Sequence, residues 1–493
     1  MKSKDTALAL ALILFPAAAG AQETIVSQQD IKQLSVTVYN NGLGLVKDTR
    51  AVQFRTGDNT ISFAGVSALI KPETAIISAD GTSIIEQNFN FDLMSRQALL
   101  QKYTGKDIKV IKTNPVTGKD TEETATVLSS DNGIILKIGN RIETDYGGRL
   151  IFPEVPKNLR DKPTLTVDFF SAGAGKKDIN LNYLTDGIYW QADYAAELND
   201  AENELALNGW VTVTNQSGTD YKNADMQFVA GSVHRQSAET ARFGMRKNVL
   251  YSDSTQAAGA APEMTEEALM DYHMYSLGRK TSVLSNQKKQ LALLTAPKIK
   301  AKKTYIFQDI IPAGYFYINN IDKDRMNSAA VFLSFNNKKS DGLGKPLPEG
   351  TIRVYKADRA SRLFFVGEDT IKHTPENEEV KLNLGQAFDI TERGRQTQYR
   401  ELPAETAYPA NNLRPTVYKV TESDYELTFK NAKDTPQTVT YSQALNRNWT
   451  IIKSNTDYKK DDALRAEWEI KIPAKGSSVL KLTIRERYSI RNN

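Results

Sequence analysis

The chain of 493 residues contains no cysteine. That excludes a thiol nucleophile, a redox pair, a disulfide framework, a lipobox anchor and any metal site built on thiolates. A chain of this length can bury hydrophobic cores large enough to stand without disulfides. Histidine is nearly as scarce, with only His234, His273 and His373. None has H-x-x-H or H-E-x-x-H spacing, so no local metal signature is present, and no metal or other cofactor is expected. An excess of one charge is lacking as well. Lys and Arg number 63 against 59 Asp and Glu, for a net charge of +4. The whole chain is therefore no polyelectrolyte, and it carries no nucleic-acid reader motif. After the first residues, no apolar run reaches the roughly 20 residues of a transmembrane helix.

What is present begins at the N-terminus. Lys2 and Lys4 precede an apolar run over 7–15, Pro16 breaks it, and Ala19-Gly20-Ala21 supplies small residues. This pattern predicts a secretory signal peptide over 1–21, cleaved after Ala21. The mature chain is then expected to be periplasmic or secreted in a bacterial envelope, with no transmembrane segment.

Alternation of apolar and polar residues dominates the rest. Runs at 34–39, 60–63, 108–111, 124–128, 134–138, 165–169, 179–183, 205–214, 425–429, 437–441 and 479–484 read as strands. Asn40-Asn41-Gly42 reads as a turn, as does Gly57-Asp58-Asn59. Gly209 interrupts the strongest strand as a candidate bulge, and Trp210 beside it is expected in the core. Residues 265–274 fit one short helix capped by Thr265. The expected fold is mostly β: several antiparallel β-sandwich or small-barrel domains in tandem, with one short helical or disordered insertion. The expected divisions after the leader are 22–96 (a β domain), 97–156 (a small barrel), 157–410 (the main β domain, with a mobile insertion at 236–290) and 411–493 (an Ig-like sandwich).

Chemistry is harder to locate. Gly173-Ala174-Gly175-Lys176 and Gly342-Leu343-Gly344-Lys345 fail the phosphate-loop pattern and read as turns. No nucleophile elbow stands out. A basic stretch from Arg279 to Lys303 has no acid between Lys280 and Lys303. It is either a solvated strand or a contact for anionic lipid or acidic polysaccharide. The segment 367–375 follows a strand and holds two acids and a histidine. It supplies the candidate ligand surface: Glu368, Asp369, His373 and Thr374. Glu368 and Asp369 are adjacent, so on a strand they face opposite ways and make a poor catalytic pair.

Several segments carry a resemblance. Residues 181–194, Gly209-Trp210-Val211-Thr212-Val213-Thr214-Asn215, 218–221 through 229–231, Leu347-Pro348-Glu349-Gly350-Thr351-Ile352-Arg353-Val354-Tyr355, 367–375 and 385–389 together resemble the mucoidy-inhibitor-like bacterial proteins. The likeness spans about residues 160–488. It implies a β-rich main domain without assigned activity and a link to exopolysaccharide. Longer members carry a coiled coil where this chain has the strand-rich stretch 97–155, so a coiled-coil partner is not implied. The resulting expectation is a non-enzymatic envelope protein that binds or scaffolds an envelope protein or polysaccharide. The alternative is a carboxylate-dependent hydrolase of a cell-wall or capsular polymer, which requires two converging acids, one with a perturbed pKa.

Overall fold

The computed structural model describes residues 23–490, apart from 91, 132, 157–158, 232–263, 313–320, 322–323, 359, 361, 409–414, 446–448 and 463. The leader, His234 and most of the expected insertion lie outside the described residues. The structure is 68% strand and 4% helix, in several multistranded sheets, so the chain is a mostly-β protein. By internal contacts it divides into two units. One holds Met1–Trp190, Val213–Gly244 and Glu267–Lys289; the other holds Gln191–Thr212, Met245–Glu266 and Gln290–Asn493.

In the first unit, twelve residues of Leu43–Phe54 pair antiparallel with all of Gly175–Asp186. Residues 43–54 thus form one unbroken strand. Gly42, at φ +78°, makes the turn that precedes it. Under this pairing sits a charge pair with almost no exposure. The Arg50 guanidinium holds Asp48 Oδ2 at 2.7 Å and donates to the carbonyls of Val26 and Ala64 at 2.9 Å each.

The 97–156 stretch is corrected. Its five strands run in the order Arg141–Glu143, Ile135–Ile138, Asp120–Ser129, Asp107–Thr113, Arg149–Ile151. Among the described residues the sheet stays open and no closed barrel forms. Its apolar face is covered by the helix Arg96–Lys102, which supplies Leu100 to a core with Val110, Val127 and Leu136. A sheet capped by a helix has no need to curl on itself. Ser95 caps that helix, accepting from Ala98 N at 3.0 Å.

The expected helix at 265–274 is also corrected. Thr265–Leu269 and Tyr272–Ser276 are strands, separated by Met270 at φ +54°. The second pairs antiparallel with 227–230, and this sheet pairing overrides a weak helical propensity. The ladders are largely antiparallel. Parallel exceptions include Ile31–Tyr39 with Tyr221–Ala230 and Ile188–Leu198 with Gly350–Ala357.

The second unit is built on a sheet that begins at the edge strand Leu363–Ile371, continues through Gly350–Ala357 and ends through Glu379–Ala407, Thr416–Asn431, Ser477–Ile490 and Trp449–Ser454. Its core gathers Phe307, Phe429, Tyr441 and Trp468. Trp468 stacks on Tyr441 at 5.3 Å. Trp210, expected in the core, is only half-buried. Gly209 serves close packing, because a Cβ there would meet Leu294 and the Tyr194 ring at 3.0–3.1 Å. The basic stretch runs largely along Gln287–Gln308, where acids from elsewhere in the chain neutralise part of it. Lys298 pairs with Glu204 at 3.2 Å and Lys303 pairs with Glu202. Among the described residues no helix is long and apolar enough to cross a membrane.

Candidate functional site

The four residues singled out from the sequence serve four different neighbours. Antiparallel register sets Glu368 opposite Arg353. Arg353 bridges Glu368 Oε2 at 3.1 Å and the buried Asp193 at 3.2 Å. Thr212 Oγ donates to the other Asp193 oxygen at 2.6 Å. Asp369 is bonded elsewhere. Its carboxylate accepts the backbone N–H groups of Thr370 and Asn383, each at 2.8 Å. The Nδ1 of His373 accepts Glu349 N–H at 3.1 Å. Thr374 exchanges two backbone hydrogen bonds with Leu347. The cluster thus ties loops and strands to one another by fixed polar contacts.

A different face of the same unit is more open. Strand Thr416–Asn431 presents Glu422, Asp424 and Glu426 at alternate positions, hence on one face. Register then builds three cross-strand rows: Arg400–Glu422–Arg485, Gln398–Asp424–Thr483 and Arg395–Glu426–Lys481. Arg400 grips Asp424 with two bonds of 2.6 and 3.0 Å. Arg485 grips Glu422 Oε1 at 2.6 and 2.8 Å. Arg395 bonds Glu426 at 2.8 Å, and Lys481 stands 3.4 Å from it. Such charge-assisted pairs fix both partners. Arg400, Glu422, Asp424, Glu426 and Lys481, with Lys453, border an open groove of about 1070 Å³.

The electrostatics of this face are one-sided. The Arg400 guanidinium, helped by the Thr483 hydroxyl, holds Asp424 below the usual carboxylate range. Arg395 and then Lys481 do the same for Glu426. These acids stay ionised at neutral pH and have no proton to donate. Arg395, Arg400, Lys453, Lys481 and Arg485 outnumber Glu422, Asp424 and Glu426, so the face is net cationic.

The opposite situation holds at Glu392, which is fully buried. Its Oε2 accepts from Asn327 Nδ2 at 2.9 Å, whereas Oε1 has no hydrogen-bond partner. Oε1 faces the bare Cα of Gly394, where a Cβ would approach it to 3.0 Å. Burial pushes this carboxyl up to about 7, against the smaller opposing pull of Asn327. Asn327 also lines a cavity of about 520 Å³ with Asp309, Arg325, Met326 and Gln386. Asp309 is held by Ala444 N–H at 2.7 Å and by Arg465 at 3.4 Å.

Sequence reading missed both places. The acids at 422, 424 and 426 do carry a signal, namely identical charge at a two-residue period. Their cationic partners come from strands that only folding makes adjacent. Glu392 carries no signal at all. A comparison with protein-family models and with curated proteins found no match for this chain.

Proposed function

We propose that this is an exported, non-enzymatic envelope protein that binds or scaffolds an acidic polymer, in keeping with the exopolysaccharide link of the family it resembles. One observation carries the reading: a net-cationic sheet face, bordering an open groove, whose carboxylates are all engaged by guanidinium or ammonium groups. A polyanion gains from such a surface by exchange of counterions and by bidentate contacts to Arg. Acids held in ion pairs serve recognition and leave no general acid for hydrolysis. The periplasm or cell exterior remains the proposed location, from the leader pattern.

A melting-temperature series on the full chain tests this, using a polyuronate and a neutral glucan of equal length. A saturable rise is expected with the polyuronate alone. The rise should vanish when Lys453→Glu and Lys481→Glu reverse two exposed charges of the groove. Equal shifts with both polymers, or none with either, would count against the reading.

A second reading, a carboxylate-dependent hydrolase, is favoured by Glu392, whose raised pKa suits a general acid and whose partner Asn327 lines a cavity. It predicts release of reducing ends from an envelope polymer, abolished by Glu392→Gln.

A further inference from the structure

The sheet face that borders the groove continues past it. Strands Thr416–Asn431 and Ser477–Ile490 hold one unshifted register from the pair Glu422–Arg485 to the pair Lys430–Ser477. Tyr425, Leu427 and Phe429 enter the core, so Glu426, Thr428 and Lys430 point outward beside the groove's acids. Over this length the outward residues of Ser477–Ile490 are Arg485, Thr483, Lys481, Val479 and Ser477. On the other side, Glu379–Ala407 presents Arg400, Gln398, Arg395, Arg393 and Thr391. Neither flanking strand carries an acid at these positions. The acids are confined to the middle strand and stop at Glu426. A polyanion laid across the strands therefore meets cation, acid and cation in turn, whereas one laid along them follows cations and neutral groups. Beyond Glu426 the cations are also free. Arg393 and Lys430 are exposed, and neither has an ion pair among the described residues.

The far end of this lane is aromatic. Ser328 pairs with Thr391 but Ala330 pairs with Gln386, so Glu379–Ala407 bulges between these two pairs. The bulge turns Phe388 outward, 94% exposed, while Ala387 and Ile390 stay buried. Phe388 borders a cavity of about 410 Å³ with Thr391, Lys430, Lys475 and Ser477. Asp389 also lines it, and Lys475 is paired with Asp434 at 2.6 Å, so charge nearly cancels at this end. A near-neutral cavity with an exposed ring suits the apolar C–H face of a sugar better than a carboxylate. We propose that the acidic polymer lies lengthwise along strand Thr416–Asn431, leaves the groove over Thr428 and Val479, and sets a sugar ring on Phe388. The path rests on the reading of the groove as a site for a polyuronate. It makes the site sensitive to chain length, because the lane from Glu422 to Lys430 is about 26 Å long. Contacts at both ends of one chain reinforce each other through effective concentration, so a chain too short to reach Phe388 binds more weakly.

Calorimetric titration of the full chain with a uronic acid disaccharide and a decasaccharide tests the path. The decasaccharide should bind roughly tenfold tighter or more. Phe388→Ala and Lys430→Gln should each lower decasaccharide affinity several-fold and leave the disaccharide, held by the groove, unchanged. Phe388→Tyr should keep the decasaccharide affinity, because it keeps the ring. Lys112→Gln removes an exposed lysine of the other unit, controls for net charge and should change nothing. Phe388 and Lys430 are both exposed, so the melting temperatures of their variants should match the wild type. Equal affinity for the two oligomers, or decasaccharide binding indifferent to Phe388→Ala, would overturn the path and leave the groove in place. Failure of both oligomers to bind would overturn the groove and the path together.

Discussion

Asp48 in one unit and Glu392 in the other are carboxylates with nearly the same burial, 3% and 0% exposed, yet they meet opposite surroundings. Asp48 is gripped by a guanidinium that also closes two backbone carbonyls, so every strong group in the cluster is paired. Glu392 has one amide donor and one oxygen with none. The first arrangement keeps a charge inside a fold because the opposite charge is buried with it. The second favours the neutral acid, because nothing repays the desolvation of the anion. Burial alone therefore does not say what an acid does; its partners decide.

The comparison breaks most visibly at Asp48. Asp48→Ala leaves Arg50 charged and buried, and a loss of about 3–5 kcal/mol is expected by urea unfolding. Removing both partners, as in Asp48→Leu with Arg50→Met, should cost far less.

Glu392 sharpens the contrast through pH. Its folded pKa of about 7 lies above the ordinary value of 4.5, so the native state binds the extra proton. Its contribution is complete below about pH 4.5, declines as pH rises through about 7 and is flat beyond. The shift corresponds to about 3 kcal/mol across that window. Glu392→Gln should flatten this part of the stability profile and be the more stable chain at pH 8. An unchanged profile would show that the carboxyl is ionised at neutral pH after all.

Asp424 runs the other way. Its pKa is depressed by Arg400, so its contribution is present above the ordinary carboxylate range and fades as pH falls through the depressed value. Asp424→Asn should cost about 1 kcal/mol at pH 7 and less in acid. The smallest effect is expected at Glu368, whose pair with Arg353 is half-exposed. Glu368→Gln should change stability by less than about 1 kcal/mol.

Much of the fold was legible in the sequence, because two-residue alternation reports a sheet with one buried face wherever it occurs. The long ladder of Leu43–Phe54 with Gly175–Asp186 follows that rule, and so does the acid face of Thr416–Asn431. The misreadings have physical causes. Residues 265–274 have helical composition but fall in two strands, the second of which pairs with 227–230 across more than forty residues of chain. The helix at Arg96–Lys102 is only seven residues long, too short for a periodic signal. The candidate site was less legible. A histidine among two acids in 367–375 is conspicuous as composition, yet the fold spends each side chain on a different neighbour. The cationic rows around Asp424 need three strands separated by up to about eighty residues, and no local pattern announces such a meeting.

The most direct test of a groove that recognises an acidic polymer without cleaving it is calorimetric titration of the full chain with a polyuronate at low and high salt, with polymer length measured afterwards. The account predicts saturable binding that weakens as salt rises, with the polymer length unchanged. Absence of binding at low salt, or a shortened polymer, would contradict it.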